Sequence, residues 1–175
     1  MIRRRLLTAA ILLVSGNASA QAPELGLGWM AEFNLAARQI LALAQAMPAE
    51  KFSWRPAEKV RSVSEVFMHI ALGNYFILNG AGAKIPDDTP PIAADLEKKI
   101  TAKPEVIRWL ERSFAAVRSG YPATDRTRKV KFLGKDTTSD AVFLRLLVHN
   151  HEHMGQAIAY ARTTGVVPPW SEGAR

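Results

Sequence analysis

Apolar residues recur at helical spacing along most of this chain. Phe33, Ala37, Ile40, Leu41 and Ala44 share one face of a segment running from about Gly28 to Met47, where Pro48 stops it. Ser62-Val-Ser-Glu65 has the form of a capping box and predicts a second helix to about Leu78, closed by Asn79-Gly80. Ile107, Leu110, Phe114 and Val117 mark a third helical region between Ala93 and Ser119. It is broken near Thr101 to Pro104, because proline is tolerated only in a first turn. The last helix starts with Thr138 or Ser139 as N-cap and runs to about Thr164, with Gly165 as its stop and Pro168-Pro169 beyond.

The connections are also patterned. Residues 49–61 carry Phe52, Trp54 and Pro56, which suits a loop held by buried aromatic anchors rather than a flexible linker. Residues 82–91 form a Pro- and Asp-rich crossing. Val130 and Phe132 alternate with Lys129 and Lys131 ahead of Gly134, the period of a short strand or hairpin. The expected fold is all-α: an up-down four-helix bundle with long crossover loops, with room for a short β-hairpin before the last helix.

Composition changes this picture at the N-terminus. Met1-Ile-Arg-Arg-Arg5, the short apolar run Leu6 to Val14 and the small-residue site Ala18-Ser-Ala20 together have the pattern of a secretory signal peptide. The apolar run is well short of the ~20 residues that span a bilayer. The expected organisation is therefore a signal peptide over residues 1–20 and one domain over 21–175, a periplasmic or secreted protein with no membrane attachment after cleavage. Losing Arg3, Arg4 and Arg5 lowers the formal charge from +7 to +4. Much of the basicity is then a targeting signal. The remaining cluster of Arg126, Arg128, Lys129 and Lys131 reads as a solvated loop, and no aromatic interleaving or nucleic-acid motif accompanies it. No nucleic-acid partner is expected. The absence of cysteine excludes disulfides, thiolate ligands and a cysteine nucleophile.

The candidate chemistry lies in the histidines. The chain has four, and His149, His151 and His153 fall within five residues. On a helix of roughly 3.6 residues per turn, His149 and His153 are about 40° apart and can share an ion, whereas His151 is rotated by roughly 200° and faces elsewhere. His69, in the apolar stretch Glu65-Val-Phe-Met-His69-Ile-Ala-Leu, is the one histidine left to complete the pair. Three neutral nitrogens leave a coordination position open, the ligand count of a catalytic zinc site rather than a closed structural one. Imidazole suits Zn, Ni, Cu or Fe alike. The competing reading makes these histidines satisfied core residues of a metal-free scaffold. There is no HExxH motif, since Asn150 follows His149 and the usual metalloprotease base is missing. Gln156 and Tyr160 continue the inward face of the last helix. Glu65, one turn before His69, is a candidate outer carboxylate that already has a capping role.

Ser53-Trp-Arg-Pro56, Val60-Arg-Ser-Val63, His69, His149-Asn-His-Glu-His-Met-Gly-Gln156, Tyr160-Ala-Arg162 and Gly165-Val-Val-Pro-Pro169 follow one another in an order that resembles the DinB-like superfamily. The resemblance implies a four-helix bundle, often a homodimer, with a divalent metal, Zn or Ni above all, held by His69, His149 and His153. It also implies one of two activities: a metal-dependent hydrolase, or a transferase such as the family's thiol S-transferases, acting on an unidentified small molecule. Export argues against thiol chemistry, because low-molecular-weight thiols belong mainly to the reducing cytoplasm. The alternative is a non-catalytic metal or small-molecule binding module. No catalytic acid or base is assigned by the sequence.

Overall fold

The computed structural model describes residues 26–93 and 95–171, so the expected signal peptide lies outside the described residues. Four long helices, α1 (Trp29–Ala46), α2 (Val63–Gly80), α4 (Lys103–Ala123) and α5 (Ser139–Thr163), make the bundle. A one-turn helix α3 (Leu96–Lys99) sits in the crossover between α2 and α4. Strands β1 (Lys129–Phe132) and β2 (Lys135–Thr138) form an antiparallel hairpin ahead of α5. The all-α bundle and the hairpin are those expected from the pattern of the chain. Among the described residues no helix is long and apolar enough to cross a membrane.

Local chemistry sets most boundaries. The Ser62 hydroxyl accepts from the Glu65 amide, and the Glu65 carboxylate accepts from the Ser62 amide at 2.7 Å, completing the capping box. Leu133 and Gly134, both at positive φ (51° and 77°), make the two-residue hairpin turn whose twist matches the strands it joins. At the end of α5, Gly165 (φ 79°) donates to the Arg162 carbonyl and Val166 to the Ala161 carbonyl, the paired bonds of a Schellman motif. The third helical region is split where expected, at residues 100–102, and α4 then runs past Ser119 to Ala123.

Packing places α2 at the centre: α4 and α5 both lie against it, and both also lie against α1. Tyr75 meets Trp109 and Asn74 meets Ser113, while Leu78 lies beside Gly120, so α2 and α4 run in the same direction. The long crossover 81–102 is what permits two consecutive long helices to be parallel neighbours. Helix α5 opposes α2, since the Ser139 hydroxyl reaches the Ala81 carbonyl at one end and His149 reaches His69 nearer the other. Trp29 stacks on Tyr121 and packs edge-on against Phe143, tying α1 to α4 and α5. The core they enclose includes fully buried Phe33, Phe52, Phe67, Phe114 and Phe143. Phe52 is thus the buried anchor expected of the 49–61 loop, and half-buried Trp54 packs edge-on against Tyr160.

Candidate metal centre

Helical geometry on α5 and the antiparallel packing of α2 bring three imidazoles together. One nitrogen each from His69, His149 and His153 lie within 4.8 Å of one another. His69 Nε2 and His149 Nε2 are 3.2 Å apart, about the separation of two nitrogens sharing a tetrahedral zinc at ~2.0–2.1 Å each. His151 is exposed on the opposite side, its Nδ1 3.0 Å from the Leu147 carbonyl, and takes no part in the cluster.

Two of the three rings are oriented from behind. His69 Nδ1 lies 2.9 Å from Glu97 Oε2, so the ring donates its Nδ1 proton to the carboxylate and turns a free Nε2 lone pair toward the cluster. The other oxygen of Glu97 accepts from Arg61 Nε at 2.6 Å. His153 Nδ1 donates to Gln156 Oε1 at 3.0 Å, and Gln156 Nε2 in turn donates to the Tyr160 hydroxyl at 2.9 Å. Gln156 and Tyr160 therefore steer His153 rather than line an open face. Glu65, the sequence candidate for an outer carboxylate, is spent on its cap and on Arg55, 3.3 Å away. Glu97 fills the role instead. Its only sequence signal is a carboxylate near the start of the expected third helical region, Ala93 to Ser119, which no local pattern links to His69.

The electrostatics favour neutral imidazoles. Burial, with the neighbouring His153 and His69, pushes His149 from 6.5 down to about 4. Burial also lowers His69, although its bond to Glu97 opposes the shift. Burial would raise Glu97, but Arg61 and His69 outweigh it and hold the carboxyl below its ordinary value. At neutral pH, His69 and His149 thus present lone pairs beside a carboxylate, the protonation state that metal ligation requires.

The surroundings fit an ion better than they fit plain core histidines. A Cβ at Gly73 would lie 2.3 Å from His149 Cε1 and 3.0 Å from each of its ring nitrogens, so α2 is bare where the imidazole must lie. His149 Nδ1, the ring nitrogen that does not meet His69, is buried without a hydrogen-bond partner. Beneath the cluster, Asn150 Nδ2 donates to Asn74 Oδ1 at 2.7 Å and Asn74 Nδ2 to Ser113 Oγ at 3.1 Å. This chain links α5, α2 and α4 one residue from His149 and so fixes the relative height of the histidine-bearing helices. A cleft of about 500 Å³ opens on the His69 and His149 side, walled by Leu72, Phe76, Ile92, Phe132 and Leu133, with Arg145 at its edge.

A sequence profile of the DinB superfamily matches residues 32–157, most of the chain and all three histidines of the cluster. The chain belongs to the DinB superfamily. A DinB-like protein from Bacillus cereus is 19% identical, with a TM-score of 0.69, over 85% of this chain and 98% of its own. A second, the DinB-like protein YjoA of Bacillus subtilis, is 18% identical, with a TM-score of 0.60, over 78% of this chain and 91% of its own. At that identity the likeness concerns the fold. No curated protein matches the chain. Membership of the superfamily and the three-histidine cluster are together compatible with metal binding.

Proposed function

We propose that this DinB-superfamily chain is an exported protein that holds one divalent ion, zinc or nickel, on His69, His149 and His153 and acts as a metal-dependent hydrolase or transferase. The observation that carries the reading is the convergence of three ring nitrogens within 4.8 Å beside a cleft that two of the rings, His69 and His149, help to line. An ion held there would supply Lewis acidity and lower the pKa of a bound water. The chain's own residues supply the rest: Glu97 and Gln156 fix the tautomers of His69 and His153, and Gly73 leaves room for His149. The apolar walls limit water beside the cluster and offer a seat for a small molecule.

Export to the periplasm or beyond rests on the residue 1–20 pattern and favours hydrolysis over transfer to a low-molecular-weight thiol. A homodimer is the assembly that the resemblance implies, and sedimentation velocity of the mature chain tests it. The second reading, a non-catalytic metal or small-molecule binding module, is favoured by one observation. The carboxylate bonded to the cluster, Glu97, has both oxygens engaged by Arg61 and His69, which leaves it poorly placed as a general base. The decisive experiment loads the protein with zinc or nickel and assays esters, amides and thiol conjugation beside a His153→Ala variant. Turnover that needs both the ion and His153 supports the enzyme. Flat rates with ion bound replace it with the binding module.

A further inference from the structure

The cleft beside the histidines differs from the other hollows of the surface in its chemistry. Its walls come from three separate parts of the chain: Leu72, Phe76 and Ile77 on α2, Ile92 from the crossover, and Phe132 with Leu133 from the hairpin. Three of these stay well exposed, Phe76 at 58%, Ile92 at 46% and Leu133 at 73%. Scattered exposed apolar residues need no explanation, but three that converge on one concavity of about 500 Å³ are what a small-molecule site looks like. Leu133 also holds a left-handed backbone (φ 51°), unusual for a leucine, and so keeps an apolar side chain at the hairpin tip where asparagine or glycine would be the easier turn residue.

The charges in the cleft decide what kind of molecule fits. Among the described lining residues, Glu97 is the sole carboxylate, and both its oxygens are already bonded to Arg61 and His69. The Arg61 guanidinium bonded to Glu97 offsets its charge, which makes it a poor partner for a cationic ligand. Arg145 is the sole arginine or lysine in the lining. One of its guanidinium nitrogens bonds Glu152 at 2.8 Å, in a pair that is about half exposed on both sides. Such solvent-screened pairs are worth little, and the planar guanidinium keeps further donors for a second acceptor.

We propose that the cleft binds a free amphiphilic carboxylate, an acidic group met by Arg145 and an unbranched or aromatic apolar body held by Phe76, Ile92 and Leu133. This rests on the cleft being the small-molecule side of the proposed site, but not on the ion itself, because Arg145 and the apolar walls exist without it.

The test is calorimetric titration of the full mature chain with decanoate, decanol and decylamine, below their micelle concentrations, on both zinc-loaded and chelator-treated protein. Decanoate is expected to bind in both states, and decanol and decylamine at least about tenfold more weakly, the usual worth of a charge-assisted bond. Arg145→Gln should weaken decanoate about tenfold and leave decanol unchanged. Leu133→Asn, which suits the left-handed turn, should weaken decanoate and decanol alike. Equal binding of the three probes, decanoate binding indifferent to Arg145→Gln, or no decanoate binding in either state overturns the proposal. So does binding of anionic phospholipid vesicles in place of decanoate, which would make the cleft a membrane contact. Metal content, measured on the same samples, reports separately on the histidine cluster.

Discussion

Replacing Gly73 by alanine tests the fit between α2 and His149 with a single methyl group. The added Cβ would stand 2.3 Å from His149 Cε1 and 3.0 Å from both ring nitrogens. Carbon atoms settle at about 3.5–4.0 Å, so the imidazole must retreat by more than about 1 Å or turn out of the cluster. His149 is only 7% exposed, so the adjoining cleft is the space it has to enter. Two effects on stability then oppose each other. Alanine inside a helix gains roughly 1 kcal/mol over glycine, whereas overpacking a filled site costs typically 1–3 kcal/mol, so the net change should be a loss of no more than about 2 kcal/mol. The effect on the ion is not balanced in this way. Changing a group that merely orients a ligand costs 10–100-fold in affinity, and displacing the ligand itself should cost at least about 100-fold. Gly155→Ala is the control: Gly155 is on α5 two residues from His153, and nothing lies within 4 Å of a Cβ there. That variant should gain up to about 1 kcal/mol and bind the ion normally. Chelator-competition titrations with zinc, beside urea melts of the metal-free proteins, read both quantities. If Gly73→Ala binds zinc as tightly as the unaltered protein, the argument that α2 is bare for the sake of His149 is wrong.

Three further outcomes follow from the same geometry. Glu97→Gln keeps an acceptor for His69 Nδ1 but removes the charge, and zinc affinity should fall about tenfold in the same titration with α-helical circular dichroism unchanged. Stability of the metal-free protein should depend on pH through His149, whose value is about 4 when folded and 6.5 as an ordinary histidine. The unfolded chain takes up the proton first, so stability is full above 6.5 and falls as pH drops toward 4, and Glu97, held low by its partners, acts in the same direction at the acid end. Urea midpoints that stay level or rise on acidification through that window would contradict the assignment. Asn74→Ala leaves the Asn150 amide and the Ser113 hydroxyl short of a buried partner and should cost about 1–3 kcal/mol, read as a lower urea midpoint at an unchanged slope.

Features with local causes were legible in the chain. The Ser62–Glu65 cap, the Gly165 stop and the alternation of Val130 and Phe132 each concern residues a few positions apart, and each reappears at the expected place. The pairing of His149 with His153, and the exclusion of His151, needed only the helical period. His69 followed because no other histidine remained. What was hidden depends on contacts across the fold. Glu97 acts from a one-turn helix 28 residues beyond His69, in a crossover whose path no periodicity describes. The parallel run of α2 and α4 is likewise a property of that crossover. Gly73 did leave a trace: a glycine inside a strong helical pattern costs stability, and such a residue has a packing reason when it persists. The cleft assembled from α2, the crossover and the hairpin has no counterpart in sequence spacing at all.

The proposed function depends on His69, His149 and His153 holding one ion between them. Metal analysis by mass spectrometry tests it most directly on the mature chain and on four single variants, His69→Ala, His149→Ala, His153→Ala and His151→Ala, purified side by side and dialysed against trace zinc and nickel. About one ion per chain is expected in the unaltered protein and in His151→Ala, as one three-nitrogen site requires, and close to none in the other three. An unaltered protein with no more metal than His153→Ala, or an ion lost with His151, would contradict it.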